Sequence, residues 1–425
     1  MKRNAIVLLL VLVLVISAVA GILLLKAPLH KTITVPDDYL TIQEAVDHAS
    51  AGDTVFVKKG TCYCGFDNVV IRKSLSLIGE DANATIIDGQ FETYKYRLGG
   101  LGGLSTVIVG ASNVLITGFN ITNGENAITI SQNVSGVRIV GNNLMGNMVG
   151  IRDAANSRDN GLVVSGNTIS NNSVVGFYLS SANSTVSDNL FSDNNDALGL
   201  NEACNVTVCY NRIVNNSRGV NLAEVSGASI FGNNITGSVG YDLSLDDYGY
   251  GIEFMWNVNN SLVYDNNIWG NTHGINLRNF AFTAGSPGTP VPQGSGNIIY
   301  HNNLFDNSQN ANVEHTHPYG VTGVVNGTTI VSWDNGTVGN YWSDYQSKYP
   351  NATEVDMSGV GNTPYVIDGN NTDYCPLVHA VDISAIPPSQ PLKVPFPTTV
   401  VVAALMISVT IIGIGLLFYF KKRKH

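Results

Sequence analysis

One phrase recurs down the middle of this 425-residue chain: apolar-x-Gly-Asn-x-apolar-x-x-Asn, then Gly-apolar-x-apolar. Aligned on its first asparagine, it falls at Asn142, Asn167, Asn189, Asn211, Asn233, Asn266 and Asn302, in steps of 25, 22, 22, 22, 33 and 36 residues. A looser copy, ITGFNITN, surrounds Phe119. A period near 22 residues is too short for a helix pair or a propeller blade, and it fits one coil of a parallel β-solenoid.

Each coil reads as short strands separated by turns. In 219–223, Gly-Val-Asn-Leu-Ala, alternate side chains face opposite sides, so Val220 and Leu222 point inward while Asn221 and Ala223 point outward. The same slots place Phe177, Leu179, Leu198, Leu200, Ile252, Phe254, Ile275 and Leu277 inside. Ile151 obeys the rule, but Asp153 takes an inward slot beside the segment RDAANSRDN, which reads as a distorted coil. The recurrent asparagine suits a tight bend because Asn tolerates left-handed backbone angles. Stacked at about 4.8 Å per coil, such amides can also bond in a ladder. These asparagines are therefore read as structural.

The organisation follows from where the period starts and stops. Residues 32–92 form an N-terminal cap and first coils: Ile42, Ala45, Val46 and Ala49 have helical spacing, and strand-like pieces TVFVKKG, NVVIRKSLSLIGE and ATIIDG follow. The repeats occupy 93–324. Insertions around 241–250 and 282–295 flank the strands 251–255 and 274–278 and wall one face. Residues 325–379, rich in aromatics and Asp, form a C-terminal capping unit, and 380–397 is a Pro-rich linker.

Both ends carry membrane-type segments. Residues 1–25, with Lys2 and Arg3 ahead of an apolar run, read as a signal peptide or an N-terminal membrane anchor. Residues 398–420 include the 21-residue apolar stretch Val400 to Phe420, long enough for a transmembrane helix. The basic tail 421–425 stays in the cytoplasm under the positive-inside rule. The expected protein is anchored in the cell membrane, with its β-helix on the extracellular side and the lipid bilayer as a partner of the C-terminal helix. Thirteen Asn-x-Ser/Thr sequons, among them Asn83, Asn133, Asn205 and Asn326, would make such a body a glycoprotein. A net charge of -10 without basic clusters argues against nucleic acid. Five cysteines leave at least one unpaired; Cys204 and Cys209 are close enough in sequence to bridge.

The opening TIQEAVDHASAGDTVFVKKGT, NVVIRKSLSLIGE and TIIDG resembles the start of right-handed parallel β-helix proteins of the pectin-lyase-like class. The repeats and closing unit resemble the periplasmic copper-binding NosD family, with its carbohydrate-binding and sugar-hydrolase repeats. The closing match is carried by Trp333-Asp334, Gly339 to Tyr345, Thr363-Pro364-Tyr365, Ile367-Asp368 and Asp373. The resemblance implies an all-β, right-handed parallel β-helix outside the cell, and the family name implies copper handling. It supplies no catalytic motif. The paired Gln and Asp motifs of pectin methylesterases are missing, and Asp246-Asp247 with Thr272-His273-Gly274 only echo the polygalacturonase pattern.

Three candidate sites remain. The outward column on the walled face holds Tyr178, Asn221, Glu253 and Asn276, with Arg278 two residues on and Trp256 at a strand end. Aromatic planes, amides and charged groups in one row suit polysaccharide. Glu253 with Asp246 or Asp247 would supply the carboxylate pair that glycoside hydrolysis needs. His315 and His317 alternate on one strand, with His301 one coil earlier, and suit copper. Asp334, Asp344, Asp356, Asp368 and Asp373 could offer oxygen ligands to calcium, or hold turns under the closing aromatics. The leading function is a surface or adhesion module that binds polysaccharide or cell-surface glycan. The alternatives are a carbohydrate-active lyase, hydrolase or epimerase, and a NosD-like copper-handling accessory protein.

Overall fold

Alternating burial turns the repeat into three stacked sheets. The computed structural model describes residues 30–63, 68–90, 105–153, 161–240, 249–278, 294–314 and 331–383. Segments 1–25, 398–420 and 421–425, Asp246, Asp247, His315, His317 and Asn326 lie outside them. Among the described residues, parallel sheets of 12, 10 and 11 strands run the length of the body, and neighbours within a sheet come from successive coils. Three-residue strands such as Leu115–Thr117 and Arg138–Val140 bury only their middle residue. The ten-stranded sheet has longer strands, such as Val175–Leu179 and Tyr250–Trp256. All the inward positions read from the repeat are fully or almost fully buried, in one continuous core.

The repeat's glycine marks a close approach between coils. A Cβ on Gly219 would lie 2.2 Å from the Gly251 carbonyl oxygen, and one on Gly176 would lie 2.6 Å from that of Ala197. No real side chain fits such a gap, so the bend entering each long strand stays nearly bare.

The asparagines stack as a ladder, with one correction to the reading above. Asn142, Asn167, Asn189, Asn211, Asn233, Asn266 and Asn302 are buried, and the series continues to Asn340. Each Nδ2 donates to the Oδ1 of the next coil's asparagine, at 2.9–3.1 Å. Each Nδ2 also donates to a carbonyl of the coil before, as Asn211 does to Val186 O at 2.9 Å. The left-handed residue is not the ladder asparagine but the one preceding it: Gly141, Gly166, Asp188, Tyr210, Gly232, Asp265 and His301 all have positive φ. The side chain that bonds across coils needs ordinary backbone, and the chain reverses one residue earlier. A second ladder runs Asn147, Asn172, Asn194, Asn216 and resumes at Asn271 to Asn307. Sequon asparagines Asn83, Asn133 and Asn205, by contrast, are exposed.

Asp153 sits inward and 2 % exposed, and the rest of the RDAANSRDN segment, 154–160, lies outside the described residues. Its Oδ2 accepts from the Ser180 N–H at 3.1 Å and from the Ser181 hydroxyl. A buried carboxylate is tolerated because the next coil supplies donors.

The ends close differently. Helix α1, Ile42–His48, starts in a Thr41–Glu44 capping box and buries Ile42, Ala45 and Val46. At the other end the solenoid runs one coil into the closing unit: Val331–Ser332 extends the twelve-stranded sheet and Tyr341–Trp342 the eleven-stranded one. Trp342 stacks on Tyr365 with centroids 4.2 Å apart. Beneath them Asp373, fully buried, accepts from Asn340 N (2.7 Å), Trp342 Nε1 (2.8 Å) and Cys375 N (3.0 Å). Asp334, Asp344 and Asp368 likewise take N–H or O–H donors from turns and tyrosine. Cys204, Cys209 and Cys375 are free thiols, so the Cys204–Cys209 bridge is not made. Among the described residues no helix is long and apolar enough to cross a membrane.

Two outcomes follow. Asn211→Ala leaves the backbone N–H and Nδ2 of Asn189 without their shared acceptor and removes the Nδ2–H bonds to the Val186 and Cys209 carbonyls. It is expected to cost about 3 kcal/mol or more. Asn215→Gly, at an exposed left-handed bend, should change stability by less than about 0.5 kcal/mol; chemical unfolding compares the two. Burial pushes the Asp373 carboxyl up to about 7, against its N–H donors. The native state thus keeps a proton that the unfolded chain releases near 3.8. Stability from this group is complete below that value and is lost as pH rises through about 7. Wild type should lose roughly 4 kcal/mol relative to Asp373→Asn across that window, read from unfolding free energies at both ends.

Candidate carbohydrate site on the ten-stranded sheet

Parallel pairing turns one strand slot into a row along the outside of the solenoid, the register shifting only past that slot, between Leu222 and Ala223 where they meet the next strand. The register aligns Thr129, Arg152, Tyr178, Gly199, Asn221, Glu253, Asn276 and Asn312. From Arg152 to Asn312 is six coil steps, about 29 Å at ~4.8 Å each. A second row, three residues earlier on each strand, carries Asp196, Arg218, Tyr250, His273 and Gln309. Arg278 and Glu314 pair two residues after the first row.

The sequence candidates therefore meet, and most of them are more buried than an open polar face would be. Glu253 and Asn276 are fully buried, Asn221 is nearly so, and Tyr178, Trp256 and Arg278 are half-buried. Glu253 Oε1 accepts from Arg278 Nε at 2.5 Å, and Asn276 Nδ2 lies 3.4 Å away. The same Asn276 Nδ2 donates to Glu314 Oε1 at 2.9 Å, which also accepts from the Tyr250 hydroxyl at 2.7 Å. Arg278 Nε is 4.0 Å from Glu314 Oε2. One coil back, Asp196 accepts from Arg218 Nε at 2.7 Å and from Asn221 Nδ2 at 3.0 Å. Tyr178 lies over Gly199, where a Cβ would meet its ring at 3.7 Å. Trp256 Nε1 points to Glu224 Oε1 at 3.4 Å.

The electrostatics follow from burial. Burial raises the Glu253 carboxyl above its usual range, against the pull of Arg278 and Arg218. Its second oxygen, Oε2, is buried with no hydrogen-bond partner among the described residues. Burial works against the Arg278 charge, but Glu253 and Glu314 hold it in place. Burial and the nearby Glu314 push the Tyr250 phenol upward, so it stays a neutral donor. Hydrogen bonds thus join Asp196, Arg218 and Asn221 in one set and Arg278, Glu253, Asn276, Glu314 and Tyr250 in another.

Sequence reasoning missed Asp196, Arg218 and Tyr250 because it followed one row; the same register, read three residues earlier, contains them. Glu314 was passed over beside His315. Asp246 and Asp247 lie outside the described residues. His301, a left-handed bend residue, bonds through Nδ1 to Asp265 on the neighbouring coil. Among the described residues no group of three or more His, Cys, Asp or Glu side chains could hold a metal. A cleft of about 510 Å³ opens on the N-terminal half of the same face, lined by Asn126, Thr129, Arg152 and Val174 among others.

The model of the family described as periplasmic copper-binding protein (NosD) matches residues 46–242. The three stacked parallel sheets make the body a parallel β-helix. No curated protein matches the chain. Similar solved structures include the Azotobacter vinelandii mannuronan C-5 epimerase AlgE4 A-module, 13% identical with a TM-score of 0.41, over 65% of this chain and 93% of that one. A mannuronic acid specific polysaccharide family 6 lyase from human gut microbiota is 13% identical with a TM-score of 0.44, over 64% and 75%. Pectate lyase Pel9A is 11% identical with a TM-score of 0.41, over 84% and 88%. The NosD-matched segment contains one histidine, His48, whose ring stacks on Tyr39 and whose Nδ1 sits 2.8 Å from Glu44 O. The described residues do not fit a copper ion.

Removing one partner of the central pair has a sharp expected cost. Arg278→Ala leaves the Glu253 carboxyl buried alone and should destabilise by about 3–5 kcal/mol. Replacing both, Arg278→Met with Glu253→Gln, should recover most of that; unfolding of the single and double variants measures it.

Proposed function

We propose that this protein binds polysaccharide along the outward face of its ten-stranded sheet, as a module displayed outside the cell by the 398–420 segment. The observation that carries the reading is the row from Arg152 to Asn312. Guanidinium, phenol, amide and carboxyl groups repeat there at the coil spacing, on a backbone that cannot shift. A chain polymer with hydroxyls at regular intervals meets a regular series of donors and acceptors. The ring of Tyr178 and the indole of Trp256 offer apolar planes for pyranose faces. Most of the polar groups already bond one another, so their positions are fixed before a ligand arrives, which lowers the ordering cost of binding.

A second reading, catalysis on the same polysaccharide, is favoured by one pair. Glu253 is held toward its protonated form by burial, while Glu314 sits across Asn276 from it. Two carboxyls in one network, one of them held toward its protonated form, are the starting arrangement for an acid and a base.

The test is a polysaccharide array probed with the purified chain, with reducing-end and unsaturated-product assays on each hit. Tyr178→Ala and Trp256→Ala should each weaken binding by about tenfold, or ~1.4 kcal/mol, with Tm unchanged. Arg278→Lys, which keeps the charge, should weaken it less. Product formation abolished by Glu253→Gln would move the protein to the enzyme reading. An array without hits and without turnover would overturn both.

A further inference from the structure

A different face of the solenoid carries a second, unlike cleft. Where the twelve-stranded sheet ends, Ile298 and Ser332 face outward in register. Above them lies a cleft of about 460 Å³, floored by the buried Trp333 and rimmed by Asp334, Asn335, Asn370, Thr372 and Tyr374. That volume suits one or two sugar rings.

Tyr374 is the feature that needs explaining. It is 68 % exposed, the most exposed aromatic among the described residues. Elsewhere on the same sheet the rings of Phe231, Tyr264 and Tyr300 stack on one another at 5.0 and 5.4 Å, so their faces are consumed. Tyr374 stacks on no described ring, and its face is free. Yet its backbone is clamped: its N–H donates to Asp334 Oδ2 at 3.0 Å. The residues just before it, Thr372–Asp373, pair antiparallel with Tyr365–Val366. A free aromatic plane on a fixed backbone, ringed by hydroxyl and carboxamide groups, is the arrangement that recognises a pyranose.

The charge decides which pyranose. Among the described residues the cleft has no Lys or Arg in its lining, and Asp334 is the one charged residue there. Each Asp334 oxygen accepts one backbone N–H, from Gly336 at 2.9 Å and from Tyr374. Lone pairs remain for sugar hydroxyls, while an acidic sugar meets a like charge. The ten-stranded face, by contrast, presents arginines. We propose that this cleft is a second saccharide site, selective for uncharged sugars, with Tyr374 as its stacking platform. It does not rest on the reading of the ten-stranded face.

Asn335 and Asn370 both begin sequons, so the full chain is made in a host without N-glycosylation. Calorimetric titration with neutral tetrasaccharides of glucose, mannose, galactose and N-acetylglucosamine, and with tetragalacturonate, tests the site. At least one neutral probe should bind at least about tenfold more tightly than tetragalacturonate. Tyr374→Ala should weaken that probe by about tenfold or more, and Tyr374→Phe by less than about twofold. Tyr374 is exposed, so the variants should fold, with unchanged Tm as the control. The proposal is overturned if no neutral probe binds, if Tyr374→Ala binds as wild type does, or if only Trp256→Ala loses binding. The last result would assign the sugar to the ten-stranded face.

Discussion

Everything in this body depends on one short contact: a carboxamide oxygen that accepts from the coil before it. At the bend, each ladder asparagine receives both the backbone N–H and the Nδ2–H of its predecessor, as Asn233 does from Asn211 at 2.9 and 3.0 Å. A bend in a buried backbone would otherwise strand an amide and a carbonyl per coil, each costing ~1–3 kcal/mol. The side chain that repairs one coil is the partner that repairs the next. The bends therefore stay in line, and the strands between them stay in register. Without that register there would be no rows, and the face carrying Glu253 would scatter its groups over the surface.

The rows also explain why the charged cluster looks as it does. Residues that would be solvated on a lone strand are crowded at one coil spacing from their neighbours. Glu253 lies between Asn221 and Asn276 in its row, with Arg278 folded across it. Long side chains shield one another from water, and a nominally outward slot becomes buried. The same geometry that gathers the groups raises the cost of leaving any of them unpaired, so they interlock as a network.

Much of this was legible in the sequence. The 22-residue period and the Val220–Leu222 alternation specify coils and core, because a strand's two-residue alternation survives stacking unchanged. The spacing of Ile42, Ala45 and Val46 announced the capping helix that buries them. Three things were less visible. The left-handed residue was assigned to the ladder asparagine, since Asn is competent for both roles and only backbone angles separate them. The extension to Asn340 was hidden by a 38-residue step, although Gly339-Asn340-Tyr341-Trp342 carries the motif. The partners of Glu253 come from coils up to 38 residues from Asn276, and only register brings them within reach.

The second ladder has a gap. Ser238 stands where an asparagine would, and its backbone N–H reaches Asn271 at 2.9 Å. The hydroxyls of Ser217 and Ser238 are both buried without a partner. A solenoid behaves as a row of links, each held only by its neighbours, so its tensile strength is that of its poorest joint. Pulled along its axis, as a protein tethered at one end and holding a polymer would be, this rod would part between Asn216 and Asn271. The coils on each side would be left as separate, still-folded blocks.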